Sequence, residues 1–130
     1  MKILVGYEES RVAEEALKVA LKQARAFNAD LFIVTVLEQS YELQIDDIEA
    51  VEDRLESLKR THHINDLVCE TYASVSSLTP GEYLVEFAQD NNIDEIVIGV
   101  KRRSKVGKLV FGSNAQFVIL SAPCPVITVT

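Results

Sequence analysis

The sequence predicts an α/β fold, a single doubly wound parallel sheet with helices on both faces. Along the 130 residues, short apolar segments typical of strands alternate with longer segments typical of helices, in the order β-α-β-α-β-α-β-α-β. The strand segments are continuous apolar runs rather than polar–apolar alternations, which is the pattern of parallel strands buried on both faces. The length suits one domain over residues 1–130, and a content of 48% hydrophobic and 25% charged residues is ordinary for a globular protein.

The first half of the chain predicts two strands and two helices. Residues 3–5 form an apolar run that predicts a buried strand, and Ser10 suits the N-cap of a helix over residues 11–27, in which apolar side chains recur every three or four positions. Residues 31–36 predict the second strand. After a polar connector, residues 46–60 predict a charged helix with four apolar side chains on one face.

The second half predicts three strands and two helices. Residues 67–73 mix polar with apolar side chains and predict a more exposed, edge-like strand. Thr79, Pro80 and Glu82 form a capping box with proline in the first turn, which marks the start of a helix that ends near residues 91–92. The remaining elements are a strand over residues 96–100, a short helix over residues 114–120 and a final strand over residues 126–129.

Charge and composition argue against several function classes. The net charge of −7 disfavours a broad nucleic-acid-binding surface, and no apolar run approaches the roughly 20 residues that span a bilayer. Lys2 is followed at once by a strand-like run without a cleavage site, so no secretory signal is expected. Cys69 and Cys124 lie far apart and outside any metal-binding spacing, which favours reduced thiols in a cytoplasmic protein.

The connection between the fourth strand and the last helix is the most informative segment. It covers residues 100–112, about 13 residues where about 2–6 are usual. Together with Gly99 it holds three of the five glycines, and it carries five basic residues in an acidic chain. Glycine allows close approach of the backbone, and the N–H groups at a helix N-terminus attract anions. The segment is therefore predicted to hold a phosphate.

The carboxyl ends of two predicted strands carry unusual residues. Gly6, Tyr7 and Glu8 follow the first strand, and Gly99 follows the apolar run of the fourth. Ligands of open α/β sheets bind beyond the carboxyl ends of strands, where the strand order reverses. If the first and fourth strands are neighbours, both ends open into one crevice.

Five segments of the chain are informative together: residues 2–5 with Ser10 and Ala13, residues 34–36, residues 94–99, Gly112-Ser113 and residues 122–126. Through these segments the chain resembles the universal stress protein family over essentially its whole length. The resemblance implies a five-stranded parallel sheet in the order 3-2-1-4-5, with the first and fourth strands side by side. It also implies a homodimer formed by the final strands, and the segment from Val126 to Thr130, short, β-branched and followed by no helix, suits that role.

The resemblance also implies ATP or another adenine nucleotide as the ligand, with or without Mg²⁺. Many members of the family bind ATP through a loop of pattern G-x2-G-x9-G-S/T. Gly99 matches the first glycine and Gly112-Ser113 match the last pair, but Arg102 stands at the middle glycine, and Glu8 stands where the family usually has an aspartate. Because some members bind no nucleotide, the alternative is a nucleotide-free dimer that acts as a protein-interaction module.

Several candidate site residues have two interpretations. Arg102, with the neighbouring base Arg103, would either bind phosphate oxygens or point into water with the loop displaced. Glu8 would accept hydrogen bonds from a ribose or help hold a metal. Alternatively, its negative charge would only interact favourably with the dipole of the helix that follows. Val36 would line an adenine slot or fill the core, and Ser113 would bind phosphate or cap the last helix. The complete candidate set is Gly6, Tyr7, Glu8, Val36, Ile98, Gly99, Arg102, Arg103, Gly112, Ser113 and Asn114.

The expected function is an adenine-nucleotide-binding module of stress response or signalling, cytoplasmic and homodimeric, with an unidentified protein partner and no nucleic-acid or membrane partner. No pairing of nucleophile and base is recognisable, so the protein is not expected to be an enzyme, and any hydrolysis would be slow and incidental. His62 and His63 lie in a polar stretch without carboxylate geometry nearby, and no metal site is expected there. A flavin-dependent electron carrier would share this architecture. That class is disfavoured because the turn after the first strand lacks the Ser/Thr-rich phosphate-binding segment of such proteins.

Overall fold

The computed structural model describes residues 1–101 and 111–130. Within these residues, five strands and four helices alternate along the chain as the sequence pattern predicts. The strands are β1 (Lys2–Gly6), β2 (Asp30–Glu38), β3 (Cys69–Ser76), β4 (Glu95–Gly99) and β5 (Val126–Val129). The helices are α1 (Arg11–Phe27), α2 (Ile45–Thr61), α3 (Pro80–Asp90) and α4 (Ser113–Ser121).

All five strands are parallel and form one sheet in the order β3-β2-β1-β4-β5. This confirms the predicted fold class and the strand order that the resemblance implies. The central strand β1 pairs with β2 and β4, and Gly6 at its end lies opposite Val34 on one side and Ile98 on the other. The strands β3 and β5 are the two edges, so the edge position predicted for the third strand is confirmed.

The core has two layers, one on each face of the sheet. Ile3, Val5 and Val97 pack against α1 and α2, whereas Leu4 and Ile96 pack against α3 and α4. The alternation places β1 and β4 in contact with both layers, which explains why the three central residues of each strand are all apolar and buried. In the part of the chain that the structure describes, no helix is both long and apolar enough to cross a membrane.

The predicted helix starts are confirmed by their hydrogen bonds. The Ser10 hydroxyl accepts the N–H of Ala13 at 3.2 Å and so caps α1. At α3 the Thr79 hydroxyl accepts the N–H of Glu82 at 3.3 Å, and the Glu82 carboxylate accepts the N–H of Thr79 at 3.2 Å. Both helices therefore begin where their side chains satisfy the first free N–H groups.

Two strands differ from their predicted bounds by two or more residues at one end or at both, whereas β1 and β4 differ by one residue at each end. The strand β2 extends beyond the predicted residues 31–36, and β3 begins two residues later and ends three residues later than the predicted 67–73. The two strands pair over eight positions, ending with Glu38 opposite Ser76. Backbone pairing, which does not depend on side-chain polarity, carries both strands past their apolar runs.

Candidate functional site

A cleft opens at the carboxyl ends of β1 and β4, at the point where the strand order reverses. The helix after β1 covers one face of the sheet, whereas the helix after β4 covers the other, so the two connections diverge and leave a space between them. The resulting cavity has a volume of about 260 Å³ and reaches the first turns of α1, α3 and α4.

One side of the cavity is apolar. It is formed by side chains from β2, β4, α3 and α4 that also belong to the core, and Val36 among them is only partly buried. A Cβ on Gly6 would lie 2.7 Å from Cδ1 of Leu84, so the glycine makes room for that side chain. The apolar residues are Val34, Val36, Leu84, Ile98, Val100 and Val118.

The other side is formed by the N-terminus of α4. Gly112 is the N-cap and provides no side chain, and Ser113 is the first helical residue. The N–H of Gln116 bonds to the Gly112 carbonyl at 2.9 Å, but the N–H groups of Ser113, Asn114 and Ala115 have no acceptor among the described residues. The interpretation of Ser113 as an ordinary N-cap is therefore wrong. This helix start offers free donors to the cavity.

Asn114 ties the start of α4 to the start of α3. Its side-chain oxygen accepts the N–H of Gly81 at 3.0 Å, and a Cβ on Gly81 would lie 2.8 Å from the Asn114 carbonyl oxygen. The first donors of α3 are thus already used, by Asn114 and by the Thr79 hydroxyl. Of the two helices, α4 is the one that presents free N–H groups.

Gly99 allows close packing between β4 and α1. A Cβ at this position would lie 2.5 Å from the carbonyl oxygen of Val12 and 3.0 Å from the nitrogen of Ala13. No side chain fits there, because the contact is with the backbone of the first helical turn. The predicted first glycine of a phosphate loop is thus also a packing residue.

Tyr7 and Glu8 border the cavity in different ways. The Tyr7 side chain is 5% exposed and packs on the α1 and α2 face, where its hydroxyl donates to Glu14 at 2.6 Å. Burial and this hydrogen bond to Glu14 raise the pKa of the Tyr7 phenol. Its backbone carbonyl accepts the hydroxyl of Thr35 at 2.6 Å. Glu8 is exposed and bonds to none of the described residues.

His62 has a carboxylate neighbour that the sequence interpretation missed. Its Nε2 lies 3.1 Å from Oε2 of Glu14, and the other carboxylate oxygen of Glu14, Oε1, accepts the hydrogen bond from the Tyr7 hydroxyl. The pair was not evident because the two residues are separated by 48 positions in sequence. Within residues 1–101 and 111–130, no group of three histidine, cysteine, aspartate or glutamate side chains is arranged to hold a metal ion.

Every predicted site residue that the structure describes lines the cavity, from Gly6, Tyr7 and Glu8 to Asn114. Arg102 and Arg103 lie outside the described residues. The candidate set lacked several lining residues. Most of these could not be distinguished from core or helix-start positions in the sequence, whereas Lys101 was noted as part of the basic run but not chosen as a site residue. The missed residues are Ser10, Val12, Ala13, Val34, Pro80, Leu84, Val100, Lys101, Ala115 and Val118.

Known proteins resemble this chain over its whole length. The model of the universal stress protein family matches residues 1–130. A Thermus aquaticus relative described as a universal stress protein in the QAH/OAS sulfhydrylase 3′ region is 30% identical, covering 98% of this chain and 96% of its own. The structure of a universal stress protein from Archaeoglobus fulgidus is 29% identical, with a TM-score of 0.83, and covers 99% of this chain and 97% of that one. A structure of an A. fulgidus universal stress protein in complex with dAMP is 26% identical, with a TM-score of 0.80, and covers 99% and 96%.

Proposed function

Since this chain belongs to the universal stress protein family, we propose that it binds an adenine nucleotide in the cleft at the carboxyl ends of β1 and β4. The observation that carries the proposal is the open start of α4, where three successive N–H groups lack a described acceptor beside a glycine N-cap. An anion at that point would satisfy donors that the fold leaves free. The A. fulgidus relative in complex with dAMP supports an adenine nucleotide as the ligand.

Gly112 supports a phosphate position at this helix start. A Cβ built on Gly112 meets no described atom within 4 Å, and its φ of −66° is accessible to any residue. Neither packing nor backbone conformation within the described residues requires glycine here. A missing side chain is useful at this position if a ligand approaches the backbone closely.

The apolar side of the cavity fits a purine base. Val36, Leu84 and Ile98 offer aliphatic surface within one cavity that also contains the free N–H groups of α4. A planar aromatic base beside these side chains, with its phosphate at α4, would place the ribose near the exposed carboxylate of Glu8. That carboxylate suits hydrogen bonds from ribose hydroxyls or a contact to Mg²⁺ carried by the phosphates.

The proposed role is that of a binding module in stress response or signalling, not of an enzyme. Nucleotide binding at α4 would change the surface that the protein offers to a protein partner. The proposal places the protein in the cytoplasm, since its two cysteines, Cys69 and Cys124, are free thiols.

Binding of ATP or AMP with a dissociation constant in the micromolar range is expected for the purified protein. Equilibrium dialysis against labelled nucleotide with and without Mg²⁺ measures it, and GTP serves as the control for base selectivity. Lack of binding of any adenine nucleotide up to millimolar concentration would contradict the proposal. In that case Arg102→Gly tests the alternative of a nucleotide-free interaction module, which predicts that the substitution creates binding.

The proposal includes a homodimer formed through β5 and α4. The strand β5 is an edge of the sheet, and Leu120 on the preceding helix is 75% exposed, with Phe117 and Ile119 also partly exposed. The turn from Phe117 to Leu120 is apolar on all sides of the helix, and an apolar surface of this kind is normally covered. A second copy that pairs with β5 would cover this surface.

Replacement of Leu120 by lysine is expected to shift the protein from dimer to monomer, because a charge would be placed in the proposed interface. Sedimentation equilibrium measures the change. Phe27→Lys is the matched control, since Phe27 is 59% exposed at the far end of α1. A wild-type protein that sediments as a monomer at tens of micromolar would exclude this dimer.

A further inference from the structure

We propose that the free edge of β3 binds an extended, basic segment of a partner protein, which adds to the sheet as a further strand. This edge lies at the end of the sheet opposite β5, so the inference depends neither on the nucleotide cleft nor on the proposed dimer. The segment that fits has basic side chains at every second position and apolar side chains between them.

The backbone groups of β3 are divided between its two sides. The carbonyl of Val68, just before the strand, accepts the N–H of Leu31 at 2.8 Å. At the other end the carbonyl of Ser76 accepts the N–H of Gln39 at 2.9 Å. In a parallel pair, residues that bond to the neighbouring strand alternate with residues whose N–H and C=O groups face away from it. The residues of β3 that face the free edge are Cys69, Thr71, Ala73 and Val75.

The free edge lacks the features that usually protect an exposed strand. Pairing with β2 runs without interruption over eight positions, so no bulge turns the edge away. The strand contains no proline and no lysine, and its one charged residue, Glu70, accepts the hydroxyl of Tyr72 at 2.6 Å. The opposite edge, β5, has only four residues and follows Pro125. The edge of β3 is therefore the longer and more regular template for an added strand.

Two contacts fix which side of α2 overlies this edge. The Thr71 hydroxyl on β3 donates to the carboxylate of Glu56 at 3.1 Å. Arg54 instead lies 3.0 Å from Glu9, which precedes α1. The side of α2 that carries Glu56 therefore faces β3, whereas the side that carries Arg54 faces α1.

Acidic side chains extend along the β3 side of α2. Glu52 and Glu49 lie four and seven positions before Glu56, one and two helical turns away on the same side. Both are exposed, and neither forms an ion pair with a described residue. Lys59 is also on this side, but it lies 3.3 Å from Glu56 and offsets that charge. The unpaired carboxylates favour lysine or arginine in the added strand, and they disfavour a second copy of β3, which would bring the same charges.

The other face of the edge is apolar. Tyr72 is 37% exposed, and its ring packs edge-on against Phe87 with the ring centroids 5.4 Å apart. Side chains of an added strand alternate between the two faces of the sheet. Those that do not lie beside α2 therefore lie beside Tyr72, where an aliphatic side chain such as valine fits.

The first test measures binding of a labelled eight-residue peptide of alternating lysine and valine by fluorescence anisotropy. The peptide is expected to bind the purified protein with a dissociation constant in the micromolar range and more weakly as salt is added. A peptide of alternating glutamate and valine is the control and is not expected to bind. Lack of binding of the lysine peptide up to millimolar protein would overturn the proposal.

The second test examines the backbone of the peptide. Only every second residue of an added strand donates its N–H to β3. N-methylation of all the lysines and N-methylation of all the valines are therefore expected to differ, one set abolishing binding and the other preserving it. Loss of binding with both sets, or with neither, would exclude strand addition.

Variants of the protein test the edge itself. Val75→Pro removes an outward N–H at a position that is 41% exposed and is expected to weaken the lysine peptide at least about tenfold, whereas Val75→Thr keeps the N–H and is the matched control. Glu52→Lys is expected to weaken it about fivefold. Asp90→Lys makes the same charge reversal at the exposed end of α3 and should change the affinity less than about twofold. Unchanged affinity in both Val75→Pro and Glu52→Lys would overturn the proposal.

The alternative occupant is a second copy of the chain. If Leu120→Lys leaves the protein dimeric and the further change Val75→Pro makes it monomeric, the two β3 edges pair with each other. That result would overturn the proposal of a basic partner segment. Equal thermal midpoints of wild type and variants show that a change in binding is not a folding defect.

Discussion

Replacement of Gly99 by alanine is expected to lower the free energy of unfolding by about 3 kcal/mol. The added Cβ would lie 2.5 Å from the Val12 carbonyl oxygen, and backbone atoms, unlike the end of a flexible side chain, cannot rotate away. Either α1 must move outward from the sheet or β4 must shift. Both movements open the core between α1 and the central strands. Urea unfolding followed by far-ultraviolet circular dichroism measures the loss.

Gly112→Ala is the matched control for stability. Its Cβ meets no described atom, so its effect is expected to stay within about 1 kcal/mol, with a weaker N-cap offset by a less flexible unfolded chain. For Gly99→Ala, a urea midpoint equal to that of the wild type would contradict the prediction. It would mean that α1 does not approach β4 as closely as it does in the structure.

The same Gly112→Ala variant is expected to weaken adenine-nucleotide binding at least about tenfold, a loss of about 1.4 kcal/mol or more. The Cβ would be added at the N-cap, next to the free N–H groups of Ser113, Asn114 and Ala115 where we place the phosphate, and would take space that a closely bound phosphate needs. Dialysis measures the affinity. The two variants thus distinguish stability from binding. Gly99→Ala is expected to lower mainly the free energy of unfolding, and Gly112→Ala mainly the affinity for the nucleotide.

Ser121→Ala is the binding control on the same helix, because Ser121 is exposed at the opposite end of α4. If Gly112→Ala binds nucleotide as tightly as the wild type, the phosphate does not lie at the start of α4. The proposed orientation of the ligand would then be wrong, even if the protein binds nucleotide.

Much of the fold was predictable because local signals and burial agree. The capping box of Thr79 and Glu82 marks the start of α3, and the apolar runs of β1 and β4 mark strands buried on both faces. The order of the strands is not a local property, and it was available only through the resemblance. The bounds of β3 were missed because its last residues are held by pairing with β2 rather than by their own side chains.

Every predicted site residue that the structure describes lines the cavity, but about half of the lining residues, and the contacts of the site, were not predicted. Gly99 was assigned to a phosphate loop, whereas its contact with Val12 connects positions 87 residues apart. Likewise, nothing local links His62 to Glu14, and Ser113 could be a cap or a first helical residue until the position of Gly112 was known. Contacts of this kind depend on how closely the helices approach the sheet, which the periodicity of apolar residues in the sequence does not predict.

The contact between Gly99 and Val12 makes the two walls of the cleft mechanically unequal. The first turn of α1 lies directly against β4 with no side chain between them, so α1 cannot shift without disrupting its packing on the strands. The start of α4 is attached to α3 instead, through the Asn114 amide and the close approach of Gly81 to the Asn114 carbonyl oxygen. We therefore expect the proposed ligand to displace the paired starts of α3 and α4 as one unit, while α1 keeps its position against the sheet.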